Sequence, residues 1–90
     1  MQPPPQLDNA DVLEWAWSDA PFYHIADTDG ANPIAIHGLA ICRYRNGEPF
    51  YRFACDHAWE VIGDTDHASI QEAKEPQPYI NQPAHWRSLC

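Results

Sequence analysis

The hydrophobic pattern of the chain centres on the dipeptide Asn46-Gly47. Residues 34–44 and 50–55 are rich in β-branched, aromatic and other apolar side chains, which is typical of extended strands. Asn-Gly favours the positive φ angles of a type I′ turn, whose twist matches the strands that it joins. The pattern therefore predicts a β-hairpin. Its two-residue loop sets the register, which places Cys42 opposite Tyr51.

The same register divides the hairpin into two faces, because side chains alternate across a strand. One face is apolar and has the character of a core; its residues are Ile36, Gly38, Ala40, Cys42, Tyr44, Tyr51, Phe53 and Cys55. The other face mixes apolar and charged side chains, and it carries Arg43, Arg45 and Arg52. We expect these three arginines to emerge on one side near the hairpin tip, with Arg45 opposite Glu48.

Shorter elements flank the hairpin. Residues 12–17 contain two tryptophans at a spacing of two, which favours a strand, although an Asn or Asp just upstream could cap a short helix over the same residues. Residues 22–26 predict another short strand. Residues 59–62 predict one more, followed by an exit turn over residues 63–66.

One short helix is predicted near residues 69–75. Ser69 and Glu72 have the spacing of a capping box, in which the Ser side chain accepts from the third amide and the Glu reaches back. Pro76 ends the helix. Further prolines break the rest of the chain into irregular pieces, which apolar side chains would anchor onto the body: Tyr79, Ile80, Trp86 and Leu89.

Together these elements predict the α+β class. We expect a small antiparallel sheet of three to five strands around the central hairpin, with the one short helix beside it. Ninety residues correspond to a single domain, which we expect to span residues 7–90. Three consecutive prolines predict that residues 1–6 form a flexible tail.

The charge of the chain argues against several classes of partner. Thirteen Asp and Glu oppose five Lys and Arg, which gives a formal net charge of −8. Nucleic acid and anionic membranes attract clustered Lys and Arg, so we expect neither as a partner. A basic protein would be attracted and its association accelerated. With no targeting segment at the start and no framework spacing among its cysteines, the chain is expected in the cytoplasm.

Metal and catalytic motifs are incomplete. Cys55, His57 and His67 come nearest to a metal site, but zinc sites usually present two ligand pairs and no second pair follows. Residues 27–32 have the composition of a calcium loop, yet isoleucines would occupy the first and last ligand positions of an EF-hand. We therefore expect no catalytic residue, no metal and no cofactor. The alternatives are a metal- or thiol-dependent regulatory domain that uses these three residues, or an accessory subunit of an enzyme.

Acidic residues form the candidate binding surface instead. One group precedes the first basic residue, and a second surrounds the strand predicted over residues 59–62 and its exit turn. If the turns at residues 27–32 and 64–67 emerge at the same edge, they would form an acidic rim with Trp59 near its centre. An aromatic anchor surrounded by charge is a common pattern at protein interfaces. The predicted partner-binding residues are Asp27, Asp29, Asp56, Trp59, Glu60, Asp64 and Asp66.

Several short runs in the second half of the chain carry a resemblance to known proteins. They are Tyr44-Arg45-Asn46-Gly47-Glu48, Tyr51-Arg52-Phe53-Ala54-Cys55-Asp56, Trp59-Glu60-Val61-Ile62 and Ser69-Ile70-Gln71-Glu72-Ala73-Lys74, with Trp86 near the end. The pattern resembles small bacterial immunity proteins of polymorphic toxin systems. The resemblance implies a partner-binding role and transfers no catalytic residue. With the charge, it predicts a small acidic protein that neutralises a basic toxin or enzyme by occluding its active site.

Overall fold

Antiparallel pairing organises most of the described backbone. The computed structural model describes residues 1–26, 32–45, 47 and 49–89. The described elements are β1 (Gln6–Leu7), β2 (Ala10–Trp17), β3 (Tyr23–Ala26), β4 (Pro33–Ile36), β5 (Gly38–Arg43), β6 (Phe50–Cys55), β7 (Val61–His67), α1 (Ile70–Ala73) and β8 (Arg87–Ser88). This arrangement confirms the predicted α+β class, and residues 12–17 form a strand, as the tryptophan spacing favoured.

The larger sheet follows the order β1-β2-β5-β6-β7, and β8 pairs with β2 beside this path. One edge of β2 pairs with β5, and its other edge receives both β1 and β8. β3 and β4 form a separate two-stranded ribbon. The main path thus has five strands, the upper end of the predicted three to five. The short β8 adds a sixth strand to this sheet, and the β3–β4 ribbon forms a second sheet.

The first core cluster lies on the hairpin face that the sequence predicts to be apolar. Ala40, Cys42, Phe53 and Cys55 of β5 and β6 belong to it. The other buried members come from β1, β2 and the turn before β7: Leu7, Ala10, Val12, Trp15 and Trp59. This face therefore forms the core that the alternation of β5 and β6 indicates.

A second cluster covers the opposite face of the hairpin. Leu39 and Ala54 pack there with Phe22 and Ile36. The alternation predicts Ile36 on the first face, and that prediction is wrong, because β4 ends at Ile36 and the chain changes sheet before β5 begins. Burial on both faces explains why every residue of β5 except Arg43 is buried.

The hairpin has the predicted register. Cys42 lies opposite its predicted partner in β6. Gly47 has a positive φ of +107°, and its N–H donates to the Tyr44 carbonyl at 3.0 Å, one residue earlier than the bond that closes a two-residue Asn46-Gly47 loop. The turn residue Asn46 lies outside the described residues, and so does the predicted contact between Arg45 and Glu48.

β7 is longer than the sequence indicates. The prediction of a strand over residues 59–62 and a turn over residues 63–66 is wrong, because β7 runs through the polar segment and pairs with β6, placing Asp64 opposite Phe53. Polar side chains can continue a strand when that part of the sheet is solvated. The acidic residues of this segment therefore lie on an edge strand and not on a loop.

α1 is a single turn with the predicted N-cap. The Ser69 side chain accepts a hydrogen bond from the Glu72 N–H at 3.0 Å, which is the first half of the capping box. Lys74 is the C-cap residue, two positions before Pro76. No helix in the described part of the chain has the length and apolar composition needed to cross a membrane.

The segment after α1 is anchored onto the sheet, as its apolar residues predict. Ile80 and Trp86 pack against the second cluster, and Leu89 packs against the first. The Gln82 side chain adds a hydrogen bond to the Ala20 carbonyl at 2.6 Å. Irregular chain thus covers part of a sheet face.

The N-terminal segment is held against β2. Pro3 is buried, and the Pro5 carbonyl accepts a hydrogen bond from the Val12 N–H at 3.0 Å. A proline lacks the N–H donor but keeps its carbonyl, so it can still pair at the edge of a sheet. Gln6 thus belongs to β1, and the flexible tail over residues 1–6 stays a prediction.

Gly38 lets the Trp59 ring lie directly against the start of β5. A Cβ atom built on Gly38 would be 2.6 Å from Cζ3 and 2.8 Å from Cε3 of Trp59. The same indole contacts Trp15 and Trp17, with ring centroids 6.3 and 5.5 Å away. A side chain at position 38 would therefore displace Trp59 from the first cluster.

We expect Gly38→Ala to lower the free energy of unfolding by about 1–3 kcal/mol, the usual cost of overpacking a core. Gly63→Ala is the matched control, since its Cβ would be 3.2 Å from Cδ1 of Ile25, a side-chain end that can shift. Urea unfolding followed by tryptophan fluorescence measures both. An equal loss for the two variants would contradict the role assigned to the Gly38–Trp59 contact.

Candidate functional site

Three exposed carboxylates of the predicted binding surface lie along β7 and the turn that leads into it. Glu60 precedes β7, while Asp64 and Asp66 belong to it. Asp64 and Asp66 lie two residues apart on the strand, so they point to the same side of the sheet. β7 is the last strand of the main path, and its outer edge has no strand partner among the described residues. We call Glu60, Asp64 and Asp66 the acidic edge.

The other predicted acidic residues are placed differently. Asp27 and Asp29 lie outside the described residues. The Asp56 carboxylate accepts hydrogen bonds from the N–H groups of Ala58 and Glu60, at 2.8 and 3.0 Å. Asp56 is half-buried and holds the turn before β7, so its position indicates a structural role.

Trp59 does not fit the role of an exposed aromatic anchor. It is only 6% exposed, and its φ of +61° places it in the left-handed region. The backbone N–H of Trp59 donates a hydrogen bond to the Asp56 carbonyl at 3.1 Å, and this bond closes the turn. The turn directs the indole into the first cluster, and the sequence prediction of an accessible Trp59 is therefore wrong.

The residues of the alternative metal or thiol site are not brought together. Cys42 and Cys55 are free and buried, and burial raises the pKa of each thiol to about 12. His57 is exposed, whereas His67 faces Glu72 with Nδ1 and Oε1 3.4 Å apart. Within the described ranges, no three His, Cys, Asp or Glu side chains are grouped closely enough to hold a metal ion. Thiols buried in this way are poor nucleophiles and ligands.

Arg52 is buried in the second face of the hairpin. It is 4% exposed, so the prediction that it emerges beside Arg43 and Arg45 is wrong; those two arginines are exposed. Its Nη1 donates to the Ala73 carbonyl at 3.3 Å, and its Nη2 donates to the Tyr79 hydroxyl at 2.6 Å. The guanidinium therefore connects β6 to the end of α1 and to the segment that follows.

A cavity of about 420 Å³ opens beside Arg52, between the sheet and the segment after α1. Its apolar lining comes from Leu39, Pro76, Ile80, Pro83, Ala84 and Trp86. Side chains of Gln77, Asn81 and Gln82 add polar groups. Its size falls within the range of about 300–1,000 Å³ found for small-molecule sites.

The charges around this cavity are unequally compensated. Lys74 lines it, and its ammonium group pairs with the Glu14 carboxylate at 2.6 Å. In the part of the chain that the structure describes, no carboxylate forms an ion pair with Arg52. A buried arginine is normally paired, so this guanidinium stands out among the described residues.

Sequence reasoning missed Arg52 as a site residue. The available signal was that Leu39 and Ile41 share its face of the hairpin, which makes that face too apolar to be solvated. The missing information was what covers this face. The cover over residues 76–86 is irregular, and its prolines have no periodicity from which its position could be predicted.

Comparisons of the chain with protein-family models, with curated proteins and with solved structures found no match.

We expect the thiols of Cys42 and Cys55 to be protected in the folded protein. In a Cys90→Ser variant at pH 8, iodoacetamide should modify them at least about 100-fold more slowly than in the urea-unfolded chain, because burial suppresses the thiolate and limits access. Mass spectrometry of timed samples measures the rates. Rapid modification of the native chain would contradict the buried positions.

The same thiols should make stability depend on alkaline pH. Their pKa is raised from 9.0 to about 12 on folding, so the protonated thiols favour the folded state. The contribution of the two thiols to the free energy of unfolding is fully present below pH 9 and is lost as the pH rises toward 12. Urea unfolding at pH 8 and pH 10.5 should show a smaller decrease for a Cys42→Ala variant than for the unchanged chain.

Proposed function

We propose that the protein is a small binding protein of the inhibitor or immunity type, which binds a basic toxin or enzyme through the acidic edge and has no enzyme activity of its own. The observation that carries this proposal is the position of Glu60, Asp64 and Asp66. They are exposed on β7, the last strand of the main sheet path, and on the turn that leads into it, in a chain of net charge −8. Binding would take place in the cytoplasm.

The charge of the acidic edge is not neutralised by neighbouring cations in the described ranges. The ion pairs there are His67–Glu72 and Lys74–Glu14, and neither involves the acidic edge. Uncompensated charge of one sign raises the local concentration of an oppositely charged partner and accelerates encounter. This supports a basic protein as the partner.

The backbone of β7 supplies a second means of binding. An open strand edge presents N–H and C=O groups with which an extended segment of another protein can pair. Two copies of this chain would bring like charges together at such an edge, which disfavours self-association. A basic extended segment suits both the backbone and the charge.

Occlusion of the partner's active site would follow from this docking. Because Trp59 is buried, it supplies no aromatic anchor, and affinity would come from strand pairing and from the charges of Asp64 and Asp66. The protein would therefore act by covering a surface, and its own side chains need perform no chemistry.

To test this function, the immobilised chain is used to capture a partner from the source organism. The partner is identified and purified, and association is measured by surface plasmon resonance at increasing salt. We expect a basic partner whose association rate falls with salt and whose activity is inhibited in the complex. A captured partner that is acidic, or that keeps its activity when bound, would contradict the proposal.

A matched pair of variants locates the interface. Asp64→Asn with Asp66→Asn should weaken binding by about tenfold or more if these carboxylates face the partner. Asp11→Asn with Asp19→Asn changes the net charge equally but lies elsewhere, and an Asn oxygen can still accept the hydrogen bonds from Gln6 and Trp17. Equal weakening by both pairs would show that only the net charge matters.

A further inference from the structure

A buried guanidinium without a carboxylate partner lies at the wall of a cavity large enough for a small molecule. Arg52 is 4% exposed, and the cavity beside it measures about 420 Å³. Burying a charge is costly unless hydrogen bonds and an opposite charge compensate for it. Arg52 obtains two hydrogen bonds and no opposite charge from the described residues.

The two hydrogen bonds do not use all the donors of the side chain. A guanidinium has five N–H donors in a rigid planar arrangement. One is directed to the Ala73 carbonyl and one to the Tyr79 hydroxyl. Three donors remain without an acceptor among the described residues. Both existing bonds are to neutral groups, so the positive charge remains available to an anion.

From this the geometry points to a ligand site: the cavity beside Arg52 binds a small organic carboxylate with an apolar body. The carboxylate oxygens accept from the free donors of the guanidinium, which is the pairing that planar donors and carboxylates favour. The apolar body lies against Leu39, Ile80 and Trp86, and the Asn81 amide supplies a polar contact.

The charges of the lining favour a single negative charge. Arg52 contributes one uncompensated cation, because the Lys74 ammonium group is already paired with Glu14 at 2.6 Å. Glu75 also lines the cavity and repels additional negative charge. A monocarboxylate matches this arrangement, whereas a phosphate dianion would exceed it. The wide apolar lining also favours a ligand with a hydrocarbon part over an inorganic anion.

This site is independent of the proposed protein partner. Arg52 lies opposite Thr65, whereas Asp64 lies opposite Phe53. Alternation therefore directs the side chains of Asp64 and Asp66 away from the face that carries Arg52. Asp64 and Arg52 both border a second, smaller cavity of about 190 Å³. Because neither Asp64 nor Asp66 lines the 420 Å³ cavity, the two sites can be tested separately.

The test is a titration of the full chain, labelled with ¹⁵N, followed by NMR. The probes are benzoate and hexanoate, each compared with its neutral amide, and inorganic phosphate. We expect saturable shifts of the Arg52 Nε–H, the Trp86 indole N–H and the Gln82 side-chain amide. Both carboxylates should bind at least about tenfold more tightly than their amides, because a charge-assisted hydrogen bond is lost in the amides.

Two variants separate ligand binding from the structural role of Arg52. Ala84→Trp fills the cavity, leaves Arg52 in place and should abolish the benzoate shifts while circular dichroism remains unchanged. Arg52→Met keeps an unbranched side chain and should remove the preference for benzoate over benzamide. If Arg52→Met does not fold, the comparison of acid and amide on the unchanged chain, together with Ala84→Trp, still decides the question.

Three results would overturn the inference. The first is the absence of saturable shifts with both carboxylates. The second is equal affinity for acid and amide, which would assign the cavity to apolar contacts alone. The third is tighter binding of phosphate than of either carboxylate, which would assign Arg52 to a different class of anion.

Discussion

The fold depends on one constraint, the burial of β5 and β6 on both faces. A strand pair that is covered on both sides needs two separate layers of apolar cover. Side chains of β1 and β2 together with Trp59 cover the first face, while Phe22, the β3–β4 ribbon and the segment after α1, which includes Trp86, cover the second. A chain of ninety residues has few regular elements left for the second layer. Irregular backbone therefore completes the second layer. This segment packs less closely against the sheet and leaves a cavity beside Arg52.

Local signals in the sequence predict local structure well in this chain. Asn46-Gly47 predicts the hairpin register through turn geometry, and Ser69 predicts the start of the helix through its side-chain acceptor. Both depend on residues close together in the chain. The burial of Arg52 and Trp59 depends on what packs over them from distant segments, and no local pattern reports that. For the same reason, Asp64 and Asp66 resemble turn residues until the pairing of β7 with β6 is known.

The two proposed sites use opposite charges in different surroundings. Asp64 and Asp66 are solvated, so their effect is long-ranged, cumulative and screened by salt. Arg52 is enclosed by apolar side chains, where a single charge interacts more strongly and is screened less. An anion approaching Arg52 must pass an exterior of net negative charge, whereas a basic protein is drawn toward it. Raising the salt concentration should therefore slow the association of a basic protein with the acidic edge and speed the approach of an anion to Arg52.

The pairing of both β1 and β8 with one edge of β2 has a consequence for the order of folding. β1 meets β2 through a tight local connection, with Leu7 opposite Ala10, but β8 brings Arg87 back to Trp15 across most of the chain. Contacts so distant in sequence form slowly, because the intervening loop must first be closed. During synthesis on the ribosome, the part of the β2 edge that pairs with β8 stays unpaired until β8 has been synthesised. In that interval the nascent chain is open to mispairing with other extended segments.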